Sequence, residues 1–273
     1  MLNHKYDFAV IIRVQNANPN GDPLNGNRPR TNYENIGEIS DVCLKRKIRN
    51  RLLNTGEAIL VQSLDNSHDE FKSIKSRIDG SGLKTTDADF VKQACAKWFD
   101  VRAFGQIFPF KGKTKGDGVS IPVRGPVTVQ TAFSVEPISI SSSQITKSTN
   151  LEDTKDGKKG SDTMGMKHRV DFGIYKFYGS INAQLASDLT GTGFSDEDAE
   201  TLKNALTSMF EDDASSARPD GSMEVLKVIW WKHSCPSGDL SSAKVHRSLT
   251  VNPDGNYELA DLKGLTPEEL NGF

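Results

Sequence analysis

The residues best placed to do chemistry are cations. The stretch Asp41-Val42-Cys43-Leu44-Lys45-Arg46-Lys47-Ile48-Arg49-Asn50-Arg51 carries five basic side chains against one acid, in a chain whose formal net charge is -2. At about 100° per residue, a helix gathers Leu44, Ile48 and Leu52 into one stripe, with Lys45, Arg46 and Arg49 on one flank and Lys47 and Arg51 on the other. A helix anchored by such a stripe can offer its cations to phosphates. An ordinary solvated helix face has the same pattern, and this segment alone leaves both readings open. Arg28, Arg30, Lys111, Lys113, Lys115, Arg124, Lys167, His168 and Arg169 fall in or beside predicted loops, where binding groups tend to be carried.

Met164-Gly165-Met166-Lys167-His168-Arg169 sets two flexible apolar side chains beside three potential cations. Such side chains either pack a hairpin onto its domain, the simpler reading, or wedge between bases while the cations hold phosphates. The run Phe172-Gly173-Ile174-Tyr175-Lys176-Phe177-Tyr178-Gly179 is reminiscent of a base-stacking strand but lacks the full signature, so a core role is expected. For catalysis the sequence is thin. Asp22, Asp41, His68, Asp69, His168 and His233 are scattered, with no HExxH, GxSxG or P-loop spacing. Asp22-Pro23 reads as a turn element. The alternative is a metal-dependent RNA endonuclease, with Asp22 binding a metal or a water beside a phosphate backbone. No cofactor or metal site is expected.

The elements that must position these groups follow from periodicity. Tyr6, Phe8, Val10, Ile12 and Val14 alternate against Asp7, Arg13 and Gln15, which predicts a strand with one buried face. Residues 16–36, dense in Asn, Pro and Gly, predict a long ordered loop. Ser40 caps a helix over about residues 41–53. Residues 57–118 alternate short helical stretches (Phe71, Ile74, Ile78; then Phe90, Ala94, Trp98 behind a Thr86 cap) with Gly-Ser and Lys-Gly segments, and look like an insertion. A strand or pair of strands returns between Val119 and Ile140, and the polar stretch 141–163 predicts a flexible projecting hairpin. Val170–Asn182 predicts a strand covered on both faces. A helix follows, capped by Ser195 with Asp198 three positions on, stapled from Phe194 to Ala199 and striped by Leu202, Leu206, Met209 and Phe210. Met223–His233 predicts another buried strand, and no clear strand follows Pro267. Without the insertions the order is strand, helix, strand, strand, helix, strand, an α+β, ferredoxin-like arrangement shared by RNA-recognition folds.

The composition, 36% hydrophobic and 26% charged over 273 residues, suits one large globular domain with insertions. Cys43, Cys95 and Cys235 are too scattered for a disulfide framework or paired zinc ligands, which fits a reducing cytoplasm. No secretory signal or apolar run of about 18 residues is present, so no membrane is expected.

Several of these stretches also carry a resemblance. Asn18-Pro19-Asn20-Gly21-Asp22-Pro23, Gly26-Asn27-Arg28-Pro29-Arg30 and the basic helix, followed by Phe99-Asp100-Val101-Arg102-Ala103-Phe104-Gly105, Val123-Arg124-Gly125-Pro126-Val127, Ser134-Val135-Glu136-Pro137, Thr163-Met164-Gly165-Met166-Lys167-His168 and Gly193-Phe194-Ser195-Asp196-Glu197-Asp198, resemble in order and spacing the Cas-seven family, particularly its type I-C (Csd/Csh) branch. The resemblance covers nearly the whole chain. It implies a non-catalytic CRISPR RNA-binding backbone subunit that oligomerises along the guide RNA of a Cascade complex and presents it to target DNA. The implied partners are guide RNA, target DNA through the guide, further copies of itself and other Cascade subunits. An RNA-recognition-motif-like palm (residues 1–56, 119–140 and 168–273) would carry a finger insertion (57–118) and a thumb hairpin (141–167). The implied RNA-binding residues are Asn20, Arg28, Arg30, Lys45, Arg46, Arg49, Arg102, Arg124, Gly125, Met164, Met166, Lys167, His168 and Arg169. The segment Lys111-Gly112-Lys113-Thr114-Lys115-Gly116 matches nothing in the family and reads as a loop that touches target DNA or is mobile.

Overall fold

In the computed structural model, residues 1–110, 119–146, 164–187 and 191–273 are described. The lysine-glycine segment 111–116 and the middle of the hairpin, 147–163, lie outside them. In chain order the elements are β1 (Tyr6–Ala17), β2 (Gly21–Asp22), β3 (Arg28–Pro29), β4 (Ile36–Ile39), α1 (Asp41–Asn54), α2 (Ile74–Gly80), α3 (Phe90–Lys97), α4 (Phe99–Phe104), β5 (Gly105–Phe110), β6 (Val119–Arg124), β7 (Val127–Val129), β8 (Ala132–Pro137), β9 (Ile140–Thr146) and β10 (Met164–Ile181). They end with α5 (Asp196–Thr207), β11 (Met223–Lys232), α6 (Ser242–His246), β12 (Leu249–Val251), β13 (Tyr257–Leu259) and β14 (Glu268–Asn271).

The chain is α+β around one antiparallel sheet ordered β14-β11-β1-β10-β8-β4, with β7 and β9 also pairing with β10. One face packs against α1 and α5: Phe8, Val10 and Ile12 meet Leu44, Ile48 and Leu52 of α1 and Leu202 and Leu206 of α5 in a single core. Cross-strand pairing sets Gly179 opposite Phe8, where an added Cβ would fall 2.1 Å from the ring, so glycine leaves room for Phe8 to stack on Trp230. The expected caps are present. Ser40 Oγ accepts from Cys43 N–H at 3.2 Å, and Ser195 and Asp198 form the reciprocal capping box of α5.

The second face corrects the expectation for β1. Asp7, Ala9 and Ile11 are as buried as the helix-facing set, because residues 242–265 fold back over this side: Ile11, Ile174, Ile229 and Trp231 meet Val245, Leu249, Val251 and Leu265. Over residues 174–177 β10 is covered on both faces as predicted, with Tyr175 and Phe177 in the helix-facing core and Ile174 in the opposite one. A third core, built from Leu60, Ile78, Phe90, Ala94, Trp98, Phe108 and Val123, lies within the insertion and β6. Thr86 does not cap α3; Asp89 precedes it without a capping hydrogen bond, and α4 follows directly. Helix α5 ends at Thr207, so Met209 and Phe210 continue its apolar stripe beyond the helix. A terminal strand does exist: β14 pairs with β11 through Leu270 and Val228. No helix among the described residues is long and apolar enough to cross a membrane.

Asp7 is the price of burying that second face. His233 Nε2 lies 2.8 Å from Asp7 Oδ2, Lys5 Nζ 3.1 Å from Oδ2, and His246 Nε2 3.4 Å from Oδ1. Asp239 N–H donates to His233 Nδ1 at 2.9 Å, which leaves the ring proton on Nε2 to donate to Asp7. Burial pushes the Asp7 carboxyl up, but the hydrogen bond from His233, the neighbouring His246 and Ser242 side chains and the Lys5 charge outweigh it and hold the group well below the usual carboxylate range. A depressed carboxyl stabilises the fold above its unfolded value, and that stability is lost as pH falls below 3.8 toward the folded value. In urea titrations, Asp7→Asn should cost about 3 kcal/mol at neutral pH. The gap between variant and wild type should narrow as pH falls through the acid range; a gap independent of pH would contradict this account.

Candidate nucleic-acid interface

The Asn-Pro-Gly loop between β1 and α1 is held by its own side chains. Asn18 Nδ2 donates to Asn27 O at 2.6 Å, and β2 pairs with β3. Asp22 accepts from Leu24 N–H at 3.2 Å to cap a 3-10 turn, with Arg30 Nη2 3.6 Å away. Asn20 Oδ1 accepts from both Ser40 N–H and Ser40 Oγ at 2.9 Å, so the loop buttresses the N-cap of the basic helix. Arg28 Nη1 donates to Ser142 Oγ at 2.9 Å, and His168 Nδ1 lies 2.8 Å from the same oxygen. Loop, start of α1 and base of the β9–β10 hairpin are thereby one connected surface.

Burial divides the cations of α1. Lys47 is buried in an ion pair with Asp213, and its burial lowers the lysine's proton affinity despite that partner. Arg49 Nε meets Asp100 at 3.1 Å, its guanidinium 5.0 Å from the Phe104 ring centre. Arg51 donates to Ser208 at 2.9 Å. Only Arg46, 2.8 Å from Asp65, is exposed; Lys45, 3.1 Å from Asp41, is half-buried but reaches solvent at the N-terminal end. The helix is therefore neither an unbroken ridge of free cations nor an ordinary solvated face. It is an ion-paired strut with an accessible N-terminal half.

Arg102 behaves as Arg49 does. Its Nη2 and Nε reach Asp198 of α5 at 2.8 and 3.0 Å, and its guanidinium lies 4.7 Å from the Phe99 ring centre. Gly125 is buried, and an added Cβ would lie 2.3 Å from Ala103 O, so its missing side chain admits the turn after α4. Neighbouring Arg124 is exposed, with no partner among the described residues.

The hairpin places its apolar pair in the open. Met164 and Met166 are 60% and 56% exposed, so packing onto the domain is not what they do. Cross-strand register sets Met164 against Thr146, Met166 against Gln144 and His168 against Ser142, which puts both methionines on the face that carries His168. Lys167 is exposed without a partner among the described residues, and Arg169 Nε is 3.7 Å from Asp171. Phe172, expected in the core, is 43% exposed, unlike buried Tyr175 and Phe177.

The structure thus brings Arg28 and His168 together at Ser142, ties Arg30 to Asn20 by a backbone hydrogen bond, sets Lys45 and Arg46 on the helix that Asn20 buttresses, carries Met164, Met166, Lys167 and Arg169 along the hairpin, and half-buries Arg49 and Arg102 against carboxylates. Ser142, where Arg28 and His168 converge, had no signal within its serine-rich run. The pairings of Asp65 with Arg46, Asp100 with Arg49 and Asp198 with Arg102 had none either, because the partners are remote in sequence; Asp198 was legible only as a capping residue. Among the described residues, no group of three or more His, Cys, Asp or Glu is placed to hold a metal ion.

A family model described as CRISPR-associated protein Cas7 matches residues 4–265. A CRISPR-associated protein Cas7 of Haloferax volcanii is 27% identical over 218 residues, covering 73% of this chain and 62% of that relative's length. Among solved structures, a chain of a CRISPR RNA-guided surveillance complex in a pre-nicking state is similar at 16% identity over 83% of this chain and 75% of that one, with a TM-score of 0.48. A chain of another CRISPR RNA-guided surveillance complex is similar at 17% identity over 92% and 77%, with a TM-score of 0.45.

The division by burial can be tested without any ligand. Arg49→Ala leaves Asp100 buried without its cation and should lower the unfolding free energy by about 3 kcal/mol. Arg46→Ala should change it by less than about 0.5 kcal/mol. Equal losses in urea denaturation would contradict the assignment.

Proposed function

The chain belongs to the CRISPR-associated protein Cas7 family, and on that premise we propose that it binds a CRISPR guide RNA along its phosphate backbone as a non-catalytic, repeated subunit of a surveillance complex. The observation that carries this reading is the convergence of Arg28 and His168 on Ser142, beside the open half of α1 and below two exposed methionines. Arg28, Arg30, Lys45, Arg46, Arg124, Lys167, His168 and Arg169 would contact phosphates. Arg49, Arg102, Asn20 and Gly125 would act one step back, by fixing the elements that carry those cations. Met164 and Met166 would meet the apolar faces of bases.

The strand order β11-β1-β10-β8, with α1 and α5 on one face, supports an RNA-recognition-like palm. The separate core of the insertion supports a finger, and the β9–β10 hairpin a thumb. The motif resemblance supports type I-C and assembly with further copies of the chain, other Cascade subunits and, through the guide, target DNA, and the scattered cysteines support a cytoplasmic setting. Base pairing by the guide would supply sequence specificity while the protein reads backbone and shape. Asp22 is engaged by Leu24 N–H and lies beside Arg30, which supports its reading as a turn residue.

The first test is to co-express the protein with a CRISPR array and its processing enzyme, purify through high salt and sequence the retained RNA; spacer-bearing RNA of uniform length is expected. Arg28→Ala, Arg30→Ala and Lys167→Ala should each weaken binding across all sequences and reduce the log-log salt slope by up to about one. Unchanged slopes in all three would remove this surface from the site. Met164→Ser combined with Met166→Ser should weaken binding with little change in slope, since neither side chain meets a phosphate.

A further inference from the structure

Several cations assigned to the guide are already held by carboxylates of the same chain, and one of these carboxylates is positioned independently of the cation it holds. Asp65 lies in the turn Ser63–Asn66, closed by Asn66 N–H donating to Ser63 O at 3.2 Å. Asn66 Nδ2 ties the turn to the end of α1 by donating to Asn54 Oδ1 at 3.3 Å. From this mount Asp65 Oδ1 accepts from Arg46 Nη2 at 2.8 Å, with the two side chains 82% and 44% exposed. Arg30 with Asp22 at 3.6 Å and Lys45 with Asp41 at 3.1 Å repeat the arrangement elsewhere on the surface.

A pair this open to solvent is weak and screened by salt. A phosphate oxygen presents a guanidinium with the same hydrogen-bonding geometry as a carboxylate oxygen. Arg46 can therefore exchange one anion for the other at little cost.

We propose that Asp65 is a competing anion that occupies Arg46 in the free protein, is displaced by a guide phosphate, and so lowers the affinity for any RNA that engages Arg46. The idea rests on the guide-binding reading and names the residue that tunes it. The displacement cost is the same for every RNA that reaches Arg46, so it lowers affinity without changing the preference between long and short ligands.

The test is Asp65→Asn, which keeps the shape of the turn and removes its charge, with filter-binding Kd values for a guide-length single-stranded RNA and for a short RNA oligomer, and circular dichroism to show that the variant is folded. At low salt the variant should bind both RNAs tighter by about two- to fivefold, the worth of one exposed ion pair. The gain should fade at high salt and disappear when Arg46→Gln is added. Unchanged affinity in Asp65→Asn, or an equal gain in the Arg46→Gln background, would overturn the proposal while leaving guide binding intact. Folded wild-type protein that binds neither RNA would overturn the guide-binding reading, and this inference with it.

Discussion

The placement of the basic helix relative to the insertion depends on one carboxylate. Asp100 is buried and takes three donors: Arg49 Nε at 3.1 Å, Leu60 N–H at 2.8 Å and Val61 N–H at 3.0 Å. A buried carboxylate is tolerable only when its oxygens are satisfied in this way. Helix α1, the segment that leaves it and helix α4 must therefore meet at one point. Two residues on, Arg102 repeats the device against Asp198 of α5. One short helix thus fastens the insertion to both helices that cover the sheet.

That constraint decides what each cation can do. Arg49 and Arg46 stand three positions apart on one helix flank and look interchangeable in sequence. The first faces a buried carboxylate and an aromatic ring, the second an exposed turn, so the first holds the scaffold and the second makes only a solvent-exposed pair. The same sorting separates Arg102, clamped to α5, from Arg124, which has no partner among the described residues.

Local signals were legible in the sequence. The Ser40 cap, the Leu44, Ile48 and Leu52 stripe and the Ser195 and Asp198 box depend on neighbours within a few positions, and each appears where the pattern places it. Features that need remote partners were not legible. Asp7 reads as a solvent-facing residue until His233, which lies 226 positions away, supplies its hydrogen bond. Strand β14 lacks β-branched residues and is specified by the edge of β11 on which it pairs. Met164 and Met166 could be read either way, because only tertiary structure decides whether a hairpin lies on its domain or projects from it.

The near-neutral charge has the same origin. With 34 basic and 36 acidic residues, the chain generates little long-range field to draw a polyanion toward it. Many of its cations are already engaged, some inside the fold and some in exposed pairs. Under the proposed reading, affinity for a nucleic-acid backbone would come from short-range contacts made together by residues that are far apart in sequence and adjacent in space. Composition averages over such a surface and hides it. A ligand with phosphates at regular spacing would engage the loop, the helix start and the hairpin at once, and the summed contacts would outweigh the small cost of displacing each exposed carboxylate.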